Sequence, residues 1–129
     1  MSARLRYHPP MKRLTLIRHA KAGRDDPSLR DFDRPLTKRG RADAARIGAH
    51  FAALRLAPDF VICSPSLRTR QTLDLVANHL GPSARELFVE SLYRATPDAI
   101  ISAIATAPDE AVHILAVGHN PGLYAVALN

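Results

Sequence analysis

Arg18 and His19 follow directly on the apolar run Leu14-Thr15-Leu16-Ile17, so a strand there would carry a guanidinium and an imidazole at its C-terminal tip. With Ala20 they look like a nucleophile site. A second apolar run, Phe60 to Cys63, leads into Ser64-Pro65-Ser66-Leu67-Arg68, and a third, Val112 to Val117, leads into Gly118-His119. Open α/β sheets gather ligands beyond the C-terminal ends of their strands, which would bring two imidazoles and two guanidiniums to one place. Such a set suits a tetrahedral oxyanion, because arginine donates paired, charge-assisted hydrogen bonds to phosphate. Phosphoryl transfer asks mainly for positioning and charge neutralisation. A metal held by His19, His119 and an aspartate is the competing arrangement, and the arginines beside both histidines would repel the cation.

The elements between these tips alternate. After the first strand, the polar stretch Lys21 to Pro35 carries Gly23, Pro27 and the acidic residues Asp25, Asp26, Asp31 and Asp33 and reads as a loop. Thr37 offers an N-cap, and Ala44, Ile47, Phe51 and Leu54 recur at helical spacing, which predicts a helix from about Thr37 to Leu56. A second helix follows Pro65, with Leu67, Leu73, Val76 and Leu80 as its apolar stripe and Gly81-Pro82 as its stop. Leu87-Phe88-Val89 predicts a third strand. Thr96-Pro97-Asp98 starts a third helix through Ile100, Ile101 and Ile104, ended by Pro108. After the strand Val112 to Val117, Asn120 and Pro121 resemble an N-cap and first helical residue. The order β-α-β-α-β-α-β-α favours a mostly parallel sheet covered by helices on both faces, in one domain over 12–129.

At 129 residues, with 47% hydrophobic and 23% charged residues, the chain is ordinary for one globular domain. A single cysteine, Cys63, excludes an internal disulfide, and its apolar surroundings point to a buried, inert thiol. The formal charge of +6 and pI near 10.2 describe a basic surface. Its arginines cluster between Arg13 and Arg46 and at Arg68 and Arg70, without the interleaved aromatics of single-stranded nucleic-acid platforms. A phosphate pocket with a basic rim accounts for them more economically than nucleic acid does. Residues 1–11 have no apolar core of secretory length and end near Pro9-Pro10, so a flexible N-terminal extension is expected. No run approaches the roughly 20 apolar residues of a membrane span, and we expect a cytoplasmic protein that engages no membrane.

Four ordered motifs now carry a resemblance: Leu16-Ile17-Arg18-His19-Ala20, Arg34-Pro35-Leu36-Thr37-Lys38-Arg39-Gly40, Cys63-Ser64-Pro65-Ser66-Leu67-Arg68-Thr69-Arg70-Gln71-Thr72, and Val117-Gly118-His119-Asn120-Pro121. From Lys12 onward the chain resembles the histidine phosphatase, or phosphoglycerate mutase-like, superfamily, and particularly its small phosphohistidine phosphatases of the SixA type. The resemblance implies a three-layer α/β/α fold and a hydrolase, active in signal transduction, that uses neither cofactor nor metal. It implies that His19 is the nucleophile and forms a transient phosphohistidine, while Arg18, Arg68 and His119 hold the phosphoryl oxygens. Charge from Arg18 and Arg68 would keep His19 neutral, and its other ring nitrogen should donate to a backbone carbonyl.

Secondary roles stay open. Arg34 either lines the pocket mouth or pairs with Asp31 or Asp33. Ser64 either donates to phosphate or shapes the turn before Pro65. In larger members of the superfamily a glutamate after the third strand protonates the leaving oxygen, which makes Glu90 a candidate general acid, with Asp33 as its rival. The family pattern continues past the second catalytic histidine, whereas this chain stops at Asn129, so a C-terminally truncated domain is one expectation and a missing continuation the other.

The short spacing between motifs leaves little room for a lid, which favours an open site able to admit a phosphohistidine on a protein. The alternatives are a phosphatase of small phosphorylated substrates and a phosphate- or phosphoprotein-binding module without turnover.

Overall fold

The computed structural model describes residues 12–23, 26–81 and 85–128. The expected extension over 1–11, Asp25, the helix stop at Pro82 and the terminal Asn129 lie outside them. Four strands, β1 (Arg13–Arg18), β2 (Phe60–Cys63), β3 (Arg85–Phe88) and β4 (His113–Gly118), form one parallel sheet in the order β1-β4-β2-β3. The helices are α1 (Lys38–Ala53), α2 (Leu67–Ala77), α3 (Pro97–Ile104) and α4 (Gly122–Ala127).

Alternate residues of each central strand point to opposite faces, and two cores result. Val61, Cys63, Leu115 and Val117 pack with Leu73 and Val76 of α2 and with Ile47 and Phe51 of α1. Phe60, Ile62, Ile114 and Ala116 pack on the other face with Ile100 and Ala103 of α3 and Leu123 of α4. Helices on both faces of a parallel sheet make the three-layer α/β/α architecture. All six residues of β4 are buried, as a strand covered on both faces requires. Cys63 is fully buried, and burial pushes its thiol up to about 12. No helix among the described residues is long and apolar enough to cross a membrane.

The caps explain the helix starts. Thr37 Oγ1 accepts from Gly40 N at 2.9 Å, and Thr96 Oγ1 accepts from Ala99 N at 3.2 Å, with Pro97 opening α3. The helix ends differ from expectation. The first helix stops at Ala53 rather than Leu56, because Arg55 takes a left-handed conformation (φ 58°), and Leu54 is exposed rather than part of the stripe. Ile101 is likewise exposed, and α3 ends at Ile104, before Pro108. Strand β3 begins at Arg85 and lies at the sheet edge with all four residues exposed, so its charged first half carried no apolar signal. Asn120 does not cap α4 from the expected position: the Asn120–Pro121 peptide is cis, Pro121 is the N-cap, and Asn120 Oδ1 accepts from Tyr124 N at 3.0 Å.

Beside Ile47 and Phe51, the fully buried residues of α1 are small, Gly40, Ala44 and Gly48. A Cβ on Gly40 would lie 2.2 Å from Lys21 O and 3.0 Å from Lys21 N, all backbone atoms that cannot swing aside. Gly40 thus seats α1 against the segment that leaves His19. Gly40→Ala should destabilise the protein by the upper part of the roughly 1–3 kcal/mol typical of overpacking, read as a lowered denaturant midpoint; an unchanged midpoint would show that this contact yields freely.

Candidate active site

Strand register brings the three motif tips together. Arg18 pairs with Gly118 and Cys63 with Val117, so His19, Ser64 and His119 each leave the sheet at the same edge. His19 N donates to Gly118 O and Ser64 N to Val117 O, both at 3.0 Å, which continues the ladder one residue past the strands. The His19 and His119 rings stand 5.2 Å apart between centroids.

His19 Nδ1 lies 2.7 Å from Ala20 O. A carbonyl only accepts, so Nδ1 carries the proton and Nε2 keeps its lone pair. The Ala20 peptide is itself held: its N donates to Thr72 Oγ1 at 3.0 Å, and Thr72 Oγ1 donates to Arg68 O at 2.8 Å. The loop beyond is tied by Thr37 N to Lys21 O, by Gly23 N to Pro35 O and by Leu36 N to Gln71 Oε1. The Arg-Pro-Leu-Thr motif thereby supports the backbone that sets the His19 tautomer.

Burial is the main influence lowering the His19 pKa, joined by the charges of Arg68, Arg18 and Arg34 against the opposing Ala20 hydrogen bond. The arginines expected to keep it neutral therefore act second to burial. His119 is lowered to about 4, again first by burial and then by Arg68 and His19. Its Nε2 lies 2.8 Å from Ser64 Oγ, and its ring meets Tyr93 edge to face at 5.6 Å. Because the unfolded chain binds protons on these histidines first, stability is lost as pH falls from about 6.5 toward the folded values.

Arg68 projects from the first turn of α2 and is almost completely buried. Its Nη1 donates to Asp31 O at 2.7 Å and its Nη2 to Asp31 Oδ2 at 3.0 Å, while buried Nε has no partner among the described residues. Asp31 sits on the short 3-10 turn Asp31–Asp33 and is the hub of the site. Its Oδ1 accepts from Arg34 Nε and Nη2 at 3.0 and 2.8 Å, and its Oδ2 from Tyr93 Oη at 2.6 Å. These donors, Tyr93 foremost and then Arg34 and Arg68, hold its carboxyl well below the usual carboxylate range.

Two cavities meet at His19. One, of about 450 Å³, is lined by His19, Asp31, Arg68, Arg94, His119 and Asn120 among others. The other, of about 470 Å³, is lined by Arg18, His19, Lys21 and Arg34. Arg18 is exposed there, with no side-chain hydrogen bond among the described residues. Arg34 combines both of its expected places, since it lines this cavity while bound to Asp31 and, through Nη1, to Gly23 O at 2.6 Å.

The structure thus gathers Arg18, His19, Arg34, Ser64, Arg68 and His119. Glu90 and Asp33 stay apart: Glu90 is exposed on the 3-10 turn Glu90–Leu92, Asp33 pairs with Arg30 at 2.9 Å, and neither lines either cavity. Asp31 was foreseen only as a partner for Arg34, and Tyr93, Arg94 and Thr72 had no predicted role. The Asp31-x-x-Arg34 spacing was the one available signal. Among the described residues no three His, Cys, Asp or Glu side chains are grouped to hold a metal ion.

The profile of the histidine phosphatase superfamily (branch 1) matches residues 14–93. An uncharacterized protein of Mycobacterium tuberculosis is 38% identical over 112 residues, which are 87% of this chain and 68% of that one. A structure from Agrobacterium tumefaciens, assigned as a phosphohistidine phosphatase SixA, is 34% identical with a TM-score of 0.85, over 91% of this chain and 75% of that one. Phosphoglycerate mutase from Plasmodium falciparum shares the fold, with a TM-score of 0.66 at 18% identity over 92% of this chain and 67% of that one.

Proposed function

Because the chain belongs to the histidine phosphatase superfamily, we propose that it is a metal-independent phosphatase that hydrolyses phosphohistidine on a protein, with His19 as nucleophile. The lone pair of His19 Nε2 attacks phosphorus while Arg18, Arg68 and His119 take the phosphoryl oxygens, and the P–N bond of the substrate breaks. Water then attacks the phosphoenzyme, the bond to His19 breaks with its electron pair returning to Nε2, and phosphate leaves carrying both hydrogens of that water. Arg68 suits the oxyanion because its carboxylate and carbonyl partners hold the guanidinium plane fixed before substrate arrives.

One observation favours phosphohistidine over a phosphomonoester. Among the described residues, the one carboxylate that lines either cavity is Asp31, and its donors keep it ionised, so it has no proton to give. A phosphoimidazole protonated on its free ring nitrogen leaves as neutral imidazole, and its step closes without an acid from the protein. An alkoxide leaving group lacks that route, and a positioned acid contributes typically 10²–10⁴-fold.

Phosphate release in chelator from a phosphohistidine protein should therefore exceed release from an unactivated phosphomonoester by at least roughly 10²-fold in kcat/KM. Faster turnover of the monoester would move the assignment to small phosphorylated substrates, and binding without turnover of either would leave a phosphate-binding module.

The lowered histidines make a further prediction. His19 stays neutral at pH values where an ordinary histidine protonates, so kcat/KM should hold from pH 8 to 6.5 and fall only below that, as protons remove the nucleophile. An acid limb centred above pH 6.5 would contradict it.

A further inference from the structure

Arg94 lines the His19–His119 cavity, yet the reaction above gives it no task. Its backbone is left-handed (φ 56°), a conformation uncommon for a residue other than Gly, Asn or Asp. Backbone strain of this kind persists where surrounding structure enforces it and concentrates at functional sites. Enforcement is visible next door: a Cβ on Gly122 would lie 2.6 Å from Ala95 O, so the first turn of α4 presses on the backbone that follows Arg94. The arginine is thus held at its place on the cavity wall, with a side chain that is 73% exposed.

Two structural roles explain it poorly. Its ion pair with Asp31 is long and redundant, because Oδ1 already accepts twice from Arg34 and Oδ2 accepts from Tyr93 and Arg68. Arg94 Nη2 remains 3.9 Å from Oδ2, beyond hydrogen-bond reach. Its guanidinium does lie 5.1 Å from the Tyr93 ring centroid, but an exposed cation–π contact is no larger than the backbone strain that accompanies it. Lying over a ring that is itself tied to Asp31, the guanidinium makes no side-chain hydrogen bond among the described residues.

We propose that Arg94 reads the substrate, by donating to a carboxylate that the substrate carries beside its phosphoryl group. The proposal rests on the phosphatase reading and adds a substrate feature to it: acidic side chains flanking the phosphohistidine. The guanidinium lies over the Tyr93 ring at the cavity wall, and its planar fork matches a carboxylate in two parallel hydrogen bonds.

The test uses the full chain, wild type and Arg94→Ala, Arg94→Lys and Arg94→Gly, against two matched pairs of substrates. One pair is phosphohistidine peptides with Glu or Gln flanks, and the other is phosphomonoesters with or without a nearby carboxylate. Wild type should prefer the acidic member of the peptide pair, and Arg94→Ala should cut that preference about tenfold, in KM rather than kcat. Arg94→Lys should recover part of it. Arg94→Gly relaxes the left-handed residue, so loss of preference in that variant cannot be ascribed to misfolding.

No preference in wild type, or an equal fall in kcat for both members of a pair, would overturn the role of Arg94. Turnover of the monoester pair alone, with a carboxylate preference that Arg94→Ala removes, would instead overturn the phosphohistidine assignment and leave Arg94 as the substrate reader.

Discussion

His19→Ala should lose phosphate release by at least roughly 10⁴-fold in kcat, in line with removal of a nucleophile from a preorganised site. The size follows from what remains. His119 is a second neutral imidazole 5.2 Å away, but its Nε2 faces Ser64 Oγ at 2.8 Å rather than standing free beside Arg68. It cannot substitute for a ring whose Nδ1 proton is committed to Ala20 O and whose Nε2 lone pair is therefore exposed to the phosphoryl group. Arg18, Arg68 and His119 survive in the variant, so inorganic phosphate should still bind. Quenching wild type in alkaline denaturant during turnover of a labelled phosphohistidine peptide should trap phosphate on the protein that is stable in alkali and released by acid, and the variant should trap none. Turnover by His19→Ala within tenfold of wild type would exclude His19 as the attacking group.

The second large effect is expected at Arg68. Arg68→Ala should reduce kcat/KM by about 10²–10³, the range seen when one donor to a developing oxyanion is removed. Arg68→Lys should recover little, because a lysine keeps the charge and loses the planar fork that Asp31 O and Oδ2 hold in place. Asp31 accepts both bonds of the fork, through its carbonyl and through Oδ2, so Asp31→Asn should lose activity by loosening Arg68 rather than by removing a contact to substrate. In a double-mutant cycle, Arg68→Ala with Asp31→Asn should then be scarcely slower than Arg68→Ala alone. Additive losses would mean that Asp31 acts on the reaction by a route independent of Arg68.

What could be read from the sequence was what the chain writes contiguously. Arg18-His19, Ser64 to Arg68 and Gly118-His119 each follow an apolar run directly, so strand position and chemistry lie within a few residues of one another. The strands at the sheet centre were equally plain, because burial on both faces demands unbroken apolar runs such as Val61-Ile62-Cys63 and Ile114-Leu115-Ala116-Val117. Strand β3 was blurred for the opposite reason: at the edge, Arg85 and Glu86 meet solvent and need not be apolar. The stripe of α1 was legible at Ala44, Ile47 and Phe51 and failed at exposed Leu54, whereas the close approach to Lys21 and α2 that selects Gly40 and Gly48 left no apolar signal. Asp31 was hidden because its partners stand 3, 37 and 62 positions away at Arg34, Arg68 and Tyr93. Its spacing to Arg34 is matched by that of Asp33 to Arg30, the one partner of Asp33 among the described residues, so the spacing alone does not separate the two. Only folding separates a hub from a surface ion pair.

The sheet order has a consequence for when the protein becomes competent. Among the described strands β1 has a single neighbour, β4, and the register couples Arg13 to His113 and Arg18 to Gly118. Parallel pairing across such a separation must close a loop spanning most of the chain before it gains any hydrogen bond. During synthesis, which proceeds from the N-terminus at about 5–20 residues per second, His19 is made early and waits for β4 to emerge. A nascent or prematurely released chain therefore carries His19 unpositioned, and the proposed phosphatase activity should begin only once the last strand of the described sheet has been threaded between β1 and β2.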